Sequence, residues 1–231
     1  MNCTIPSPVK RRDFSLRAII FANGELNYHK DSLKIDPGDL LVAADGGARH
    51  CQALGLVPQV LIGDFDSLEP GELSAFETQG VEVIQHPARK DYTDLELALQ
   101  FAVEKGYREI LVLGALGNRW DQTFANLLIS ASKAFAEVNI RLVDGPHEIL
   151  LMRSGQVVEL DGEPGDTVSL IPLCGDVHGI VTSGLEYPLK RETLFFGETR
   201  GISNVLTGQT ASVKLDEGML LTVIIHQPKG E

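Results

Sequence analysis

Three short acidic segments carry the residues best suited to chemistry: Ala43-Ala44-Asp45-Gly46-Gly47, Ile62-Gly63-Asp64-Phe65-Asp66-Ser67 and Lys90-Asp91-Tyr92-Thr93-Asp94. Carboxylate oxygens are hard ligands, and Mg²⁺ usually bridges one or two of them to substrate phosphates. In Asp64-Phe65-Asp66 an extended backbone puts both carboxylates on one face, because side chains two apart point the same way. Taken alone, an Asp-x-Asp reads as readily as a turn or a helix cap. The glycine and apolar run ahead of it, with the other acidic loops, weight the reading towards metal binding. Lys90 places a cation beside a helix start, which is itself a phosphate site. Asp94 either complements the helix dipole or acts in catalysis, and catalysis is the favoured reading. For Asp91 the structural and catalytic roles weigh the same.

A fourth segment, Gly114-Ala115-Leu116-Gly117-Asn118-Arg119-Trp120-Asp121-Gln122, follows an apolar run and opens a helical pattern. Its glycines let backbone N–H groups come close to a phosphate or substrate, and Arg119 can grip a phosphate at two points. The spacing is neither a P-loop nor a dinucleotide fingerprint. It reads also as a turn with Asp121 capping the helix and Trp120 in the core. The six histidines form no ligand pattern, and His226, in a β run, reads as structural. Ser67 reads as a brace for the aspartate loop, and no nucleophile–base arrangement stands out.

These loops need elements to hold them. Apolar runs at 18–22, 40–44, 60–62, 81–84, 110–113 and 140–143 read as buried strands, with helical patterns at 48–54, 72–79, 93–105 and 122–136 between them. Strands alternating with helices predict a mostly parallel sheet with helices on both faces. Ligands of such sheets bind outside the carboxyl ends of the strands, where the acidic loops fall. Leu95, Ala98, Leu99 and Ala102 form one apolar stripe, and Phe124, Leu127, Leu128, Ala131 and Phe135 another. Thr93-Asp94-Leu95-Glu96 has the form of a capping box and starts a helix there. Beyond Asp144-Gly145-Pro146 come short β runs at 157–160, 167–170, 211–215 and 220–225, separated by Gly, Pro and Asp turns. That predicts a smaller all-β, sandwich-like domain. The expected division is a loose tail at 1–16, an α/β nucleotide- and metal-binding domain at 17–146 and a β domain at 147–231.

Composition narrows the function. The 231 residues include 43% hydrophobic and 23% charged positions, enough for a sizeable core. A net charge of −12 argues against broad contact with nucleic acid or anionic lipid. Cys3, Cys51 and Cys174 have neither metal-ligand spacing nor a disulfide pattern, which points to a reducing compartment, the cytoplasm. No apolar stretch after the basic N-terminal residues has signal-peptide length, and the run at 18–22 is too short to span a membrane.

Asp45-Gly46-Gly47, Gly63-Asp64-Phe65-Asp66-Ser67, Lys90-Asp91-Tyr92-Thr93-Asp94, the 114–122 segment and Gly201-Ile202-Ser203-Asn204 occur in an order that resembles the thiamine pyrophosphokinase family. The resemblance runs from about Arg17 to the β domain. It implies transfer of a pyrophosphoryl group from ATP to the hydroxyl of thiamine, with release of AMP. It also implies Mg²⁺ held by Asp64, Asp66 and Asp94, with Lys90, Asp91 and Arg119 near the phosphates. Asp45, Asp121, Ser203 and Asn204 would then help to hold thiamine, and Gly46, Arg119 and Gln122 would join them in binding the substrates. A homodimer is implied too, with thiamine between the α/β domain of one subunit and the β domain of the other. Two residues depart from the pattern: Asn118 stands where many members have a second glycine, and Val205 where an acidic or polar residue is common.

Two rival readings are a nucleotide-sugar glycosyltransferase, through Asp64-Phe65-Asp66, and a non-catalytic nucleotide-binding module. The first leaves Lys90-Asp91-x-x-Asp94 and the β domain unexplained, and the intact aspartate set speaks against the second.

Overall fold

The computed structural model describes residues 16–27, 33–66, 70–89 and 91–228. The expected N-terminal tail, Ser67 and Lys90 lie outside the described residues, apart from Leu16. Two compact units meet in sequence between Gly145 and Pro146.

The first unit contains β1 (Arg17–Phe21), β2 (Leu40–Ala44), α1 (Gly47–Ala53), β3 (Val60–Gly63), α2 (Pro70–Thr78), β4 (Glu82–Gln85), α3 (Asp94–Glu104), β5 (Glu109–Leu113), α4 (Trp120–Ile129) and β6 (Asn139–Asp144). The strand order is β4-β3-β2-β1-β5-β6, every pairing is parallel, and this is the sheet read from the sequence. Consecutive residues of β1, β2 and β3 are buried, as they must be when both faces of a sheet are covered. On one face Ile19, Phe21, Leu41, Ala43 and Leu61 pack with Ala48, Cys51 and Leu54. The chain winds outward from β1 as far as β4, then returns through α3 to pair β5 with the other side of β1. That reversal leaves a crevice beyond the carboxyl ends of β1 and β5, the usual ligand position in such sheets.

α3 forms as its sequence predicts. Thr93 is the N-cap, its hydroxyl oxygen accepts from the Glu96 N–H at 3.2 Å, and Leu95, Ala98, Leu99 and Ala102 are all buried. The second helix differs from expectation. α4 starts two residues earlier, at Trp120, and stops at Ile129, with only a short 3₁₀ turn at Lys133–Phe135 beyond it. Ser132 begins that turn by accepting from the Ala134 N–H, which competes with continuing the helix. The residue in the N-cap position is Arg119, without a side-chain cap bond, so Asp121 sits inside the first turn rather than capping it. Of the expected apolar stripe, Phe135 is buried while Phe124 and Leu128 are exposed, as is Trp120.

The second unit contains β7 (His147–Arg153), β8 (Val157–Asp161), β9 (Thr167–Ser183), β10 (Lys190–Leu194), β11 (Asn204–Val205), β12 (Thr210–Lys214) and β13 (Glu217–Ile225), all paired antiparallel. The 17-residue β9 pairs with β13 through Leu173, turns through Cys174 (φ 66°) and Gly175 (φ 132°), and pairs with β12 and β10 from Val177 onwards. It thus serves two sheets, which close on Met152, Val168, Leu170, Val177, Ile180 and Val213. Asp166 is the buried polar anchor of this unit. It accepts from the N–H groups of Gln227 and Glu163 and from His226 Nδ1, at 2.8, 3.0 and 2.8 Å. His226 follows β13 directly and has the structural part expected of it.

Candidate active site

The acidic site begins where β2 ends. Asp45 has a left-handed φ of 46° and is only 7% exposed. Its N–H donates to the Ile62 carbonyl at 2.8 Å, and its Oδ2 accepts from Asn23 Nδ2 at 3.0 Å. Gly46 completes the turn into α1 against Asn23. Gly63, the last residue of β3, passes so close that a Cβ there would lie 3.1 Å from both Cα and Cβ of Asp45. A side chain there would be a tighter contact than most real ones and would press on Asp45, so the glycine before Asp64 has a steric reason.

Asp64-Phe65-Asp66 converges by another route than the extended backbone expected. Phe65 takes a left-handed φ of 60° and buries its ring in the core, while Asp64 Oδ1 accepts from the Asp66 N–H at 3.2 Å. The buried ring and the turn together direct both carboxylates outward. Ligand oxygens of Asp45, Asp64 and Asp66 all lie within 4.8 Å of one another. The donor set is entirely oxygen and anionic, which fits a hard divalent cation. Asp94, the first residue of α3, lies outside that group of three, yet its charge reaches it. The Asp66 carboxyl is raised above its ordinary range by Asp64 first, then by burial and the charges of Asp45 and Asp94.

Asp45 and Asp94 also line a cleft of about 450 Å³, together with Asn23, Glu25, Asn118 and Arg119. Gln122 lies on the same wall, and Asp91 is an exposed residue in the bend before α3. Arg119 and Asp121 are joined to each other by two hydrogen bonds, and that pair holds Asp121 at about 2, below the ordinary carboxylate range. The site therefore draws on β1, β2, β3 and β5 and the starts of α3 and α4.

Sequence reasoning passed over Asn23, Glu25 and His50. His50 Nε2 bonds the Gly24 carbonyl at 2.8 Å and so ties α1 to the segment after β1. The Asn-Gly step after the first apolar run is the one sequence signal that could have pointed to this turn.

In the β unit, the Ser203 N–H donates to Ser169 Oγ at 3.0 Å. The Asn204 carboxamide holds the Tyr187 backbone, accepting from its N–H at 3.0 Å and donating to its carbonyl at 2.8 Å. Tyr187 and Ile202 are exposed beside them.

Comparison with known proteins agrees with this geometry. Residues 33–142 match a family model described as "Thiamin pyrophosphokinase, catalytic domain", and residues 154–220 one described as "Thiamin pyrophosphokinase, vitamin B1 binding domain". Thiamine pyrophosphokinase from Bacillus subtilis is 29% identical over 188 residues, covering 81% of this chain and 88% of that protein. Thiamine pyrophosphokinase 1 from Oryza sativa is 26% identical, covering 83% of this chain and 81% of that one. The crystal structure of the Bacillus subtilis enzyme superposes with a TM-score of 0.82 at 27% identity, over 92% of this chain and 100% of the other. Yeast thiamin pyrophosphokinase, at 16% identity and a TM-score of 0.71, shares the fold, with 93% of this chain and 87% of that chain covered. With both units matched in order and the acidic loops gathered at the sheet's switch point, this chain belongs to the thiamine pyrophosphokinase family.

Proposed function

We infer that this chain transfers a pyrophosphoryl group from ATP to the hydroxyl of thiamine, giving thiamine pyrophosphate and AMP. The observation that carries the chemistry is the approach of Asp45, Asp64 and Asp66 to within 4.8 Å of one another, with Asp45 also lining the cleft. Such an all-oxygen cluster suits a hard cation, and Mg²⁺ is the one proposed, to be held by Asp64, Asp66 and Asp94 with Asp45 beside them. A divalent cation supplies charge neutralisation for the phosphates and orients them for attack.

The remaining work falls to the chain's own residues. Phosphoryl-type transfer asks the protein mainly for positioning and for neutralising charge. Arg119, at the rim of the cleft, is placed to take a phosphate at two points, and Lys90 and Asp91 belong to the same group by sequence. The thiamine hydroxyl oxygen bonds to the β-phosphorus, the bond from β-phosphorus to the α,β-bridging oxygen breaks, and AMP leaves. A carboxylate accepts the hydroxyl proton. Asp94, at the start of α3 on the cleft wall, and Asp121, once phosphate has drawn Arg119 away from it, are the two carboxylates placed for this step. Asp45, Gly46, Asp121 and Gln122 line or flank the acceptor's side of the site, and thiamine's positive charge favours such carboxylates. Ser203 and Asn204, the latter with the Tyr187 loop that it holds, are proposed as thiamine contacts of the β unit on the family resemblance.

A homodimer and a cytoplasmic setting belong to the same proposal, supported by family resemblance and by the free thiols Cys51 and Cys174. No helix among the described residues is long and apolar enough to cross a membrane. The test is incubation with ATP, Mg²⁺ and a panel of alcohols, with mass spectrometry of the products. Thiamine pyrophosphate is expected, and AMP formed with another alcohol but not with thiamine overturns the acceptor assignment.

A further inference from the structure

Between β5 and α4 the chain makes the loop that carries Arg119, and its fastenings can be followed residue by residue. At the start, the Ala22 N–H donates to the Leu113 carbonyl at 2.8 Å, Gly24 N–H to Gly114 at 2.7 Å and Glu25 N–H to Leu116 at 2.9 Å. From the helix side, Asn126 Nδ2 donates to the Ala115 carbonyl at 2.7 Å, and Thr123 Oγ1 bonds both the N–H and the carbonyl of Gly117 at 3.2 Å. Gly117 passes so near the neighbouring segment that a Cβ on it would stand 3.2 Å from the Glu25 nitrogen. The next residue, Asn118, is exposed, and its Nδ2 donates to Glu25 Oε1. Arg119 follows at once, also exposed, with its guanidinium on Asp121.

The Glu25–Asn118 bond is thus, among the described residues, the tie on the loop that directly precedes the residue to which the functional reading gives phosphate. Its acceptor is ionised, which makes it stronger than a bond between neutral groups. Its location is also telling. Glu25 is anchored by its own backbone to Leu116, which brings its exposed side chain alongside Asn118, and Asn118 is the only step of the loop between Gly117 and Arg119. Gly117 is held by Thr123 Oγ1, and the Arg119 carbonyl accepts from the Thr123 N–H at 2.8 Å. An untied Asn118 would loosen the one residue between these two fixed points, and with it the direction in which the Arg119 side chain leaves the backbone.

We propose that Glu25 and Asn118 form a clasp that positions Arg119 for the nucleotide. They are positioning residues rather than catalytic ones. The inference rests on the functional reading above for Arg119's ligand, while the clasp itself is a property of the loop. Its chemistry explains why a carboxamide serves at 118: a hydrogen atom or a methyl group could not reach Glu25.

The test uses the full chain. Glu25→Ala and Asn118→Gly each remove the clasp and leave the Gly24 and Glu25 backbone bonds in place. Each should raise the KM for ATP about three- to tenfold, as loss of one charge-assisted bond at an exposed site would, with kcat within about twofold. The double variant should be no worse than either single one, since both remove the same bond. Asn118→Asp sets carboxylate against carboxylate and should be worse than Asn118→Gly. Adding Glu25→Gln to it restores a donor–acceptor pair and should return KM towards the parent value.

Hydrogen exchange separates this proposal from the functional one. Amides of residues 117–120 should exchange faster in Glu25→Ala, with the melting temperature unchanged, whether or not the chain turns over ATP. Parent chain that makes no AMP contradicts the functional reading, and the exchange result then decides on the clasp alone. Unchanged exchange at 117–120, additive effects of the two variants, or no rescue by the swapped pair overturns the clasp.

Discussion

Arg119 and Asp121 are joined by two hydrogen bonds, Nε to Oδ1 at 2.9 Å and Nη2 to Oδ2 at 2.6 Å, between side chains that are 69% and 65% exposed. The two residues assigned to opposite substrates are therefore partners before either arrives. Phosphate must draw Arg119 away from Asp121, and doing so releases a carboxylate towards the acceptor. An exposed pair of this kind is worth about 0–1 kcal/mol, a barrier that a polyphosphate easily overcomes. Asp121→Asn should accordingly bind ATP up to about fivefold more tightly while losing turnover with thiamine. Calorimetry of ATP binding checks it, and weaker ATP binding in this variant would contradict the exchange of partners.

The same pair fixes a pH dependence. Asp121 titrates at about 2 in the folded chain because Arg119 donates to it, below an ordinary value near 3.9. Its contribution to stability is then present above the ordinary value and lost as pH falls through about 2. Arg119→Gln should carry the Asp121 titration back up towards about 4, which carbon NMR of the carboxyl group measures. A titration that stays at about 2 in Arg119→Gln would mean that another group holds it.

The aspartate cluster makes a prediction of opposite sign for stability and activity. Asp66 is raised by its neighbours' charges, so Asp66→Asn relieves repulsion and should leave the metal-free chain as stable as the parent or more so. Turnover should fall by about 10²-fold or more, and the rise in melting temperature on adding Mg²⁺ should shrink. Asp64→Asn and Asp94→Asn should lose turnover and the response to Mg²⁺ in the same way. A variant that melts lower without metal and keeps its response to Mg²⁺ would remove the cluster from the metal site.

Gly63→Ala tests the steric cause of the site. A Cβ only 3.1 Å from Asp45 Cα and Cβ obliges Asp45 to shift by a few tenths of an ångström. Turnover should drop roughly 10- to 100-fold through misplacement of Asp45, with circular dichroism unchanged. Parent-like kcat/KM would show that the close approach is dispensable.

In the β unit, Asp166 holds two backbone N–H groups and His226. Burial works against its charge, yet the Gln227 and Glu163 N–H groups and His226 keep it below the ordinary range. Asp166→Ala removes the buried carboxylate that gathers these three donors, which themselves lie at the edge of the unit, and should cost about 1–2 kcal/mol, read by urea denaturation. A cost below about 0.5 kcal/mol would show that water replaces the carboxylate freely.

The sequence reading succeeded where the physics is local or periodic. Buried parallel strands read as apolar runs, the Thr93 cap as a capping box, and the acidic loops as strand-end features. It failed on α4 because periodicity cannot tell a core-facing stripe from an exposed one, and Phe124 and Leu128 are exposed. The turn at Phe65 was hidden for a related reason. A left-handed aromatic residue is disfavoured locally and is held there by burial of its ring, a tertiary effect. Asn23, Glu25 and His50 escaped because their partners, Asp45, Asn118 and Gly24, lie 22, 93 and 26 residues away. Polar pairs at such distances leave no trace in spacing.

The central claim is attack at the β-phosphorus, and the nucleotide product reports on it most directly. With ATP, Mg²⁺ and thiamine, phosphorus NMR of the reaction should show AMP and thiamine pyrophosphate rising together in a one-to-one ratio, with no ADP. An ordinary kinase attacks the γ-phosphorus and releases ADP. ADP appearing in step with thiamine monophosphate would contradict the account.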